Sequence, residues 1–285
     1  MPELANARDT AEIIRKYGFS VQKRFGQNFL IDEHVLDKII DAAQIDKSDG
    51  VIEIGPGLGT MTRRLGELAG KVVAIEIDRQ LIPILSDTLS DCDNVKVINA
   101  DVMKTDLKLL IDEEFGDMPV KVVANLPYYI TTPIVMNLLE GRLAIDSITI
   151  MIQKEVAERM RALPGSKDYG ALSLAVGYYA DAYIAANVPP NCFMPRPKVG
   201  SCVIRLTVLK NPPVSVRDEK QMFALIRGAF NQRRKTLVNA VSNYEGLSFN
   251  KDEIEEALKE LDLSPSIRGE ALDLRQFAAL SDVLT

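Results

Sequence analysis

Apolar and polar positions follow two different rhythms along the first two thirds of the chain. Short runs rich in β-branched residues predict strands, and these runs lie at 51–54, 71–77, 94–100, 122–124, 147–153, 182–188 and 201–209. Elsewhere, apolar residues recur with the spacing of a helix face, as at 6–17, after Asp32 and at 60–69. Strands that alternate with helices predict an α/β fold, and open α/β sheets bind their ligands where the strands end.

The last part of the chain is predicted to be helical. Asn211-Pro212-Pro213 marks a domain boundary, so we expect a first domain at 1–210 and a helical domain at 211–285. Within the first domain, 1–50 should form N-terminal helices and a loop that covers a ligand. Arg234 falls on the same helical stripe as Phe230 and Leu237. That helix should therefore either break near Asn231-Gln232 or point Arg234 into a cleft between the domains.

Length and composition predict a soluble globular protein of about two domains. The chain has 285 residues, of which 47% are hydrophobic and 26% charged. The first twenty residues contain no apolar signal segment, and the longest weakly polar run, at 171–186, is too polar to span a membrane. We therefore expect a cytoplasmic protein. The three cysteines stand apart and His34 is the only histidine, so we expect no metal site.

The net charge of −6 conceals a segregation of charge along the chain. Three windows, at 15–31, 191–210 and 222–244, contain Lys and Arg but no Asp or Glu. We therefore expect a basic face suited to a nucleic acid, the alternative being that each window is an ordinary solvated surface. The candidate RNA-binding residues are Lys23, Arg24, Arg196, Lys198, Arg233, Arg234 and Lys235.

The most informative strand end is Asn125-Leu126-Pro127-Tyr128, which follows the apolar run at 122–124. The Asn125 side chain and a carbonyl of Leu126 or Pro127 offer acceptors for an NH2 group, and Tyr128 offers a face on which a base can stack. If two acceptors hold the exocyclic amine of adenine out of the ring plane, its lone pair becomes directional and needs no strong base. The alternative is a plain strand-ending turn.

Residues at three other strand ends indicate a ligand that contains a nucleoside. Gly55, Gly57 and Gly59 join a strand to a helix, but their spacing departs from the dinucleotide fingerprint G-x-G-x-x-G. It resembles instead the E-x-G-x-G-x-G loop of S-adenosylmethionine-dependent methyltransferases. Glu76 and Asp101 follow the next two strands, where they can accept from ribose hydroxyls and from an adenine amine, or act only as helix caps.

Two loops are candidates for covering this ligand. Residues 22–31 combine amides, a glycine and two cations with phenylalanines, which suits a loop that folds over a ligand, although a plain connection has the same composition. The proline-rich loop at 189–198 would hold Phe193 rigidly. Phe193 is therefore a candidate for a second stacking face, or else a core residue.

Together these segments resemble the bacterial small-subunit ribosomal RNA adenine dimethyltransferases over nearly the whole chain. The motifs that carry the resemblance are Gln27-Asn28-Phe29-Leu30, Glu53 to Gly59, Glu76, Asp101, Asn125-Leu126-Pro127-Tyr128, Phe193-Met194-Pro195-Arg196-Pro197-Lys198-Val199 and Phe230-Asn231-Gln232-Arg233-Arg234-Lys235-Thr236-Leu237. The last two favour the small-subunit enzymes over the large-subunit enzymes that confer antibiotic resistance.

The resemblance implies a Rossmann-like, seven-stranded methyltransferase sheet, followed by a small α-helical domain that recognises RNA. It implies a monomer that uses S-adenosylmethionine to dimethylate two adjacent adenines in a hairpin loop near the 3′ end of 16S rRNA. The expected substrate is an assembling or inactive small ribosomal subunit. A role in assembly of that subunit is implied as well.

The resemblance also assigns roles to individual residues. The residues expected to contact the methyl donor are Gln27, Asn28, Leu30, Gly55, Gly57, Glu76, Ile77, Asp101, Val102 and Asn125. The catalytic pocket is expected to comprise Asn125, Leu126, Pro127 and Tyr128, with Phe193 and Tyr128 sandwiching a flipped base. Three rival interpretations are a large-subunit rRNA methyltransferase, an assembly factor that acts by binding, and a nucleotide-dependent oxidoreductase, which the glycine spacing disfavours.

Overall fold

The computed structural model describes residues 5–22 and 25–285, and the chain divides into two compact units. The first unit comprises Met1–Ala157 and Asp181–Val208, and the second comprises Glu158–Ala180 and Leu209–Thr285. The change of unit at Leu209 lies close to the predicted boundary after 210. The second unit differs from the prediction in also containing 158–180, which we expected in the first domain.

A seven-stranded sheet forms the centre of the first unit, as predicted. The strands of this sheet and of a separate two-stranded ribbon are β1 (Phe29–Leu30), β2 (Gly50–Ile54), β3 (Lys71–Glu76), β4 (Val95–Asn99), β5 (Val120–Asn125), β6 (Ser147–Gln153), β7 (Ala180–Val188), β8 (Phe193–Met194) and β9 (Ser201–Val208). The sheet order is β4-β3-β2-β5-β6-β9-β7. The first five strands of this order, β4-β3-β2-β5-β6, pair in parallel, and β9 is antiparallel to β6. The carboxyl ends of β2, β3 and β5 therefore meet at one edge.

Helices between the strands cover the sheet. Their bounds are α1 (Ala7–Lys16), α2 (Glu33–Ala43), α3 (Thr60–Leu68), α4 (Ile82–Thr88), α5 (Leu107–Phe115), α6 (Thr131–Glu140) and α7 (Lys154–Met160). Helix α2 begins as predicted, because the Asp32 side chain caps it by accepting from the Val35 N–H at 3.2 Å. Ile39 of α2 and Leu65 of α3 are fully buried in the same core as Val51 and Val72 of the sheet. This core fixes the strand ends that carry the site.

Helices make up most of the second unit. Their bounds are α8 (Ala171–Tyr179), α9 (Glu219–Asn231), α10 (Leu237–Ser242), α11 (Lys251–Glu260) and α12 (Leu274–Val283). Helix α8 is apolar on nearly every side, and the rings of Tyr178 and Tyr179 pack on Phe223 of α9 with centroids 5.2 and 5.7 Å apart. A helix without a polar face must be covered all round. This need explains why 158–180 belongs with the C-terminal helices.

The basic segment near Arg234 is a break between helices. Helix α9 ends at Asn231 and α10 begins at Leu237, which confirms the first of the two predicted alternatives, and Arg234 is exposed. Helix α11 begins with a capping box, in which Asn250 and Glu253 exchange two hydrogen bonds of 3.0 and 2.8 Å. Within the described ranges, no helix is both long and apolar enough to cross a membrane.

Candidate active site

One pocket of the first unit gathers most of the predicted site residues. Its wall is formed by the loop before α2, the turn between β2 and α3, the end of β3 and the end of β5. The predicted residues that line it are Gln27, Asn28, Leu30, Gly55, Gly57, Glu76, Ile77, Asn125, Leu126, Pro127 and Tyr128. Segments up to a hundred residues apart in the chain thus converge at the carboxyl edge of the parallel strands.

The glycine turn brings the main chain close to the pocket. Gly57 and Gly59 have φ angles of +61° and +90°, a region that side chains disfavour. A Cβ on Gly57 would lie 3.2 Å from the Phe29 ring, and one on Gly59 would lie 2.9 Å from Thr88 Oγ1. Helix α3 begins immediately afterwards at Thr60. The turn therefore presents backbone N–H groups to a ligand without a side chain in between.

Glu76 ends β3 and is held in place by main-chain donors. Its carboxylate accepts from the Asp78 N–H at 2.8 Å and from the Gly57 N–H at 3.3 Å. Burial raises the pKa of Glu76 to about 7. Ile77, the next residue, is 44% exposed and offers an apolar surface beside this carboxyl group. An acid next to an apolar side chain suits the ribose and the base of a nucleoside.

Glu53 is a site residue to which the sequence analysis gave no role. It lies in β2, lines the pocket and is fully buried. The Thr62 hydroxyl is near enough to lower its pKa, but neither carboxyl oxygen makes a hydrogen bond of regular geometry in the described structure. Burial raises the pKa of Glu53 to about 8. Burial of a carboxyl group without a strong partner raises the free energy of the folded protein, unless a bound ligand supplies a hydrogen bond or an opposite charge. The signal was present in the sequence, because Glu53 is the acid of the E-x-G-x-G-x-G loop.

Asn125 is oriented by a contact that the sequence did not predict. Its Nδ2 donates to the main-chain oxygen of Asn28 at 3.0 Å, which ties the end of β5 to the N-terminal loop. The Oδ1 atom accepts no hydrogen bond from any residue that the structure describes. Because the amide cannot turn over without losing its tether, Oδ1 is available as an acceptor for a ligand in the pocket.

The two carbonyls proposed to assist Asn125 are not equivalent. The Pro127 oxygen already accepts from the Thr131 hydroxyl at 3.0 Å and from the Ile130 N–H at 3.2 Å, at the beginning of α6. A carbonyl has two lone pairs, so this acceptor is fully used. The carbonyl of Leu126 has no such donor in the described ranges, and the Leu126 N–H is tied to the Met151 oxygen at 3.1 Å. Of the two predicted acceptors, the Leu126 carbonyl is therefore the one left available to a ligand in the described structure.

The two predicted stacking rings differ in exposure. Tyr128 lines the pocket, and its hydroxyl lies 2.8 Å from Ser201 Oγ, which fixes the ring. Burial raises the pKa of Tyr128, so the phenol stays neutral. Phe193 is only 3% exposed, because β8 pairs with β1 through Leu30 and places both side chains in the core. It is not among the residues that line this pocket, and its stacking on a flipped base stays a prediction.

The loop before α2 forms one wall of the pocket, where we expected a covering loop. Gln27 joins it to the end of β3, because its Nε2 donates to Asp78 Oδ2 at 2.8 Å. Asn28 braces the loop internally by donating to the Gly26 oxygen at 3.0 Å. Leu30 anchors it in the core at 6% exposure. Each of these side chains thus acts on the loop before any ligand is bound.

Asp101 and Val102 do not belong to the pocket lining. Asp101 follows β4, the edge strand next to β3, and its side chain accepts from the Met103 N–H at 3.0 Å. Val102 is 8% exposed and packs inward. Asp101 therefore lies at the predicted edge of the sheet but is engaged in its own turn. Its contact with the adenine amine of a donor stays a prediction.

The predicted RNA-binding residues lie in separate segments. Arg196 and Lys198 are exposed in the stretch between β8 and β9. Arg234 and Lys235 are exposed in the break between α9 and α10, whereas Arg233 donates to the Lys167 oxygen at 2.6 Å and lies 3.4 Å from Glu270. Lys23 and Arg24 lie outside the described residues. Of the three predicted cations between α9 and α10, Arg233 is therefore already engaged by the protein, and Arg234 and Lys235 are the two left to contact RNA.

The sheet order and the composite pocket define the class of the protein. A seven-stranded sheet in which β9 runs antiparallel to β6, a glycine turn, a strand-end acid and an Asn-Leu-Pro-Tyr corner form the architecture of a Rossmann-like methyltransferase. A family model for ribosomal RNA adenine dimethylases matches residues 18–265. The chain belongs to this family, as the sequence motifs predicted.

Relatives along the full length agree with this assignment. The chain is 60% identical over 285 residues to the ribosomal RNA small subunit methyltransferase A of Lachnoclostridium phytofermentans, and 50% identical to that of Clostridioides difficile, covering 100% of this chain and 98% of each relative. A dimethyladenosine transferase from Plasmodium falciparum superposes with a TM-score of 0.75 at 31% identity, over 88% of this chain and 95% of its own. The 23S rRNA methyltransferase ErmE gives 0.67 at 25% identity, over 90% and 99%.

Proposed function

We propose that this chain transfers methyl groups from S-adenosylmethionine to the exocyclic amines of two adjacent adenines near the 3′ end of small-subunit rRNA. The observation that carries the proposal is the Asn125 amide, whose nitrogen is tied to the Asn28 oxygen and whose Oδ1 is left for a ligand. The full-length similarity to enzymes named small subunit methyltransferase A supports the choice of RNA. The family membership supports adenine as the base.

The pocket suits S-adenosylmethionine in the chemistry of its donor and acceptor groups. Glu76 would hold the ribose, the turn at Gly55 and Gly57 would accept the close approach of the methionine part, and the unpartnered Glu53 carboxyl group would face positive charge. When bound, the donor supplies an electrophilic methyl group on a sulfonium. The cationic donor would keep Glu53 ionised, because a nearby positive charge lowers the pKa of a carboxyl group.

The acceptor half of the pocket can activate an adenine amine by position alone. Asn125 Oδ1 and the Leu126 oxygen each accept one N–H of the amine, which turns the nitrogen lone pair towards the methyl group. Tyr128 stacks on the base and holds its plane. Transfer would break the bond between the methyl group and the sulfonium, which would leave as a neutral thioether. The amine nitrogen would gain the methyl group and release one proton to water, so no side chain needs to act as a strong base.

The second transfer needs only one of the two acceptors, because the monomethylated amine keeps a single hydrogen. The first methyl group must then occupy space near the other acceptor. Leu126 lines the pocket and is 2% exposed, so its side chain is closely packed at this point. We therefore assign to Leu126 control over the second methylation.

Substrate binding is proposed to use the exposed cations in both units. Arg196 and Lys198 would contact phosphates from the first unit, and Arg234 and Lys235 from the second, with Arg233 partly engaged. The proposed substrate is an assembling or inactive small subunit in the cytoplasm, met by a monomer of this protein. A role in assembly can coexist with catalysis, because the same contacts serve both.

A methyl-transfer assay tests the proposed function. Labelled S-adenosylmethionine is incubated with the protein and either unmethylated small subunits or large-subunit RNA, and the nucleosides are then separated. We expect label in dimethyladenosine from the small subunit only. Label from large-subunit RNA would move the protein to the activity of ErmE, and donor binding without transfer would make it an assembly factor.

A further inference from the structure

We propose that Tyr129 stacks on a nucleobase next to the target adenine. The Tyr129 side chain is 59% exposed and has no part in the catalytic set described above. It follows Tyr128 directly, and its ring lies beside Gly26, which lines the pocket. The inference rests on the proposed function and adds a contact for the neighbour of the reacting base.

The Tyr129 ring is fixed at the pocket rim by the N-terminal loop. A Cβ added to Gly26 would lie 3.4 and 3.6 Å from two ring carbons of Tyr129 and 3.3 Å from Pro127 Cβ. Gly26 and Pro127 both line the pocket. The ring thus rests with one part against the loop backbone, and the rest of its surface is open to solvent. Because this contact restricts the ring before RNA binds, the ring loses little conformational entropy when a base stacks on it.

Extrusion of the target adenine leaves the neighbouring base without its stacking partner. Withdrawing a base from a loop unstacks its neighbour, which then exposes an aromatic face to water. Tyr128 cannot serve both bases, because it lies half-buried in the pocket with its hydroxyl held by Ser201. Phe193 is buried in the core. Phe25 also lines the pocket but is only partly exposed, so Tyr129 is the more exposed ring at this corner of the described structure.

Nearby charge favours RNA over an apolar partner as the occupant. Ser201, the partner of Tyr128, begins β9, and the exposed Arg196 and Lys198 precede it by a few residues. Single-stranded nucleic acids are bound by this combination of aromatic stacking and cations along the backbone.

The test compares Tyr129→Leu and Tyr129→Phe with Tyr183→Leu. Leucine keeps apolar packing against Gly26 but cannot stack, phenylalanine keeps the ring, and Tyr183 is a similarly exposed tyrosine (64%) on β7. Affinity is measured for an unmethylated small-subunit hairpin RNA, and donor affinity is measured separately. We expect Tyr129→Leu to weaken RNA binding about 5- to 150-fold with donor affinity unchanged. The other two variants should bind as the unmodified protein does.

A fluorescent base separates stacking from a purely structural role. With 2-aminopurine beside the target adenine, the unmodified protein and Tyr129→Phe should change its emission on binding, and Tyr129→Leu, at saturating protein, should not. Equal RNA affinity in Tyr129→Leu, or an equal loss of donor affinity, would overturn the proposal. Absence of methyl transfer by the unmodified protein would instead refute the proposed function, and the fluorescence result would still report on Tyr129.

Discussion

The two halves of the pocket are built from opposite kinds of chemistry. The donor half, at the ends of β2 and β3, contains the buried carboxyl groups of Glu53 and Glu76, with pKa values raised to about 8 and about 7. The acceptor half, at the end of β5, offers an amide oxygen, a main-chain carbonyl and a phenol ring. Under the proposed function, ionisable groups therefore face the donor and neutral groups face the base.

This contrast follows from what each half must bind. S-adenosylmethionine is cationic, so buried carboxylates attract it, and a bound cation would lower the pKa values that burial raises. An adenine amine is neutral and carries a delocalised lone pair, so an acceptor that orients it serves better than a base that competes for its protons. The proposed function thus assigns donor binding to charged groups and catalysis to the positioning of the amine, in different halves of one pocket. Variants in each half should therefore affect different steps.

The largest effect is expected from Asn125→Ala. Without the amide oxygen, the amine loses one of its two orienting contacts, so both transfers should slow about 10²- to 10³-fold at saturating donor and RNA. The measurement is single-turnover methyl transfer. Asn137→Ala, an exposed asparagine on α6, is the control. A variant that transfers at the original rate would show that orientation by Asn125 is not needed.

Leu126→Phe should separate the two transfers. The larger ring would fill space that the first methyl group needs, so the second transfer should slow about 10- to 200-fold, and monomethyladenosine should accumulate. Nucleoside analysis over time measures the products. Leu126→Met, which conserves volume, should still form dimethyladenosine. Only unmodified or fully dimethylated adenosine in the Phe variant would count against control by Leu126.

Glu53→Gln should weaken donor binding about 10- to 100-fold near pH 8, because an uncharged amide cannot pair with a cation. In the unmodified protein the proton must leave Glu53 before the donor binds, so affinity should fall by up to about tenfold per pH unit as the pH drops below about 8. Calorimetry across pH measures both effects. The control Glu113→Gln, exposed on α5, should keep the original profile. An unchanged profile in Glu53→Gln would remove Glu53 from the donor site.

The smallest effect is expected from charge reversal far along the chain from the chemistry. Arg234→Glu should weaken RNA binding about tenfold and reduce the salt dependence of binding by about one phosphate contact, with donor affinity unchanged. Binding titrations at several salt concentrations measure this. Lys259→Glu, exposed on α11, is the matched control. An equal loss of donor binding would refute the division of labour.

The strand ends and their motifs were predictable because each is contiguous in the sequence. An apolar run directly precedes each of these motifs: Gly55 to Gly59, Glu76, and Asn125 to Tyr128. The change from apolar residues to glycine or polar residues marks where each strand ends. The alternation of strands places them on one edge. The break after Asn231 was predictable for a similar local reason, because a charged residue fell on an apolar stripe.

Properties that depend on pairing between distant segments were not predictable. The burial of Phe193 follows from its register opposite Leu30, and the orientation of Asn125 from an acceptor at Asn28. The loss of Pro127 as an acceptor depends on how α6 begins at Thr131. Helix α8 joined the second unit because its partners lie on α9. Except for the Pro127 contact, which is local but depends on where α6 begins, none of these contacts has a signal within a few neighbouring residues.

The pH dependence of the chemical step tests the central claim most directly. Single-turnover transfer is measured with donor and RNA both saturating, so that the titration of Glu53 and Glu76 in the free protein no longer contributes. If the acceptor half works by orientation, the rate should stay constant between roughly pH 6.5 and 9. A rate that rises about tenfold per pH unit through a pKa in this range would show that a titrating base removes the proton, and would contradict the account.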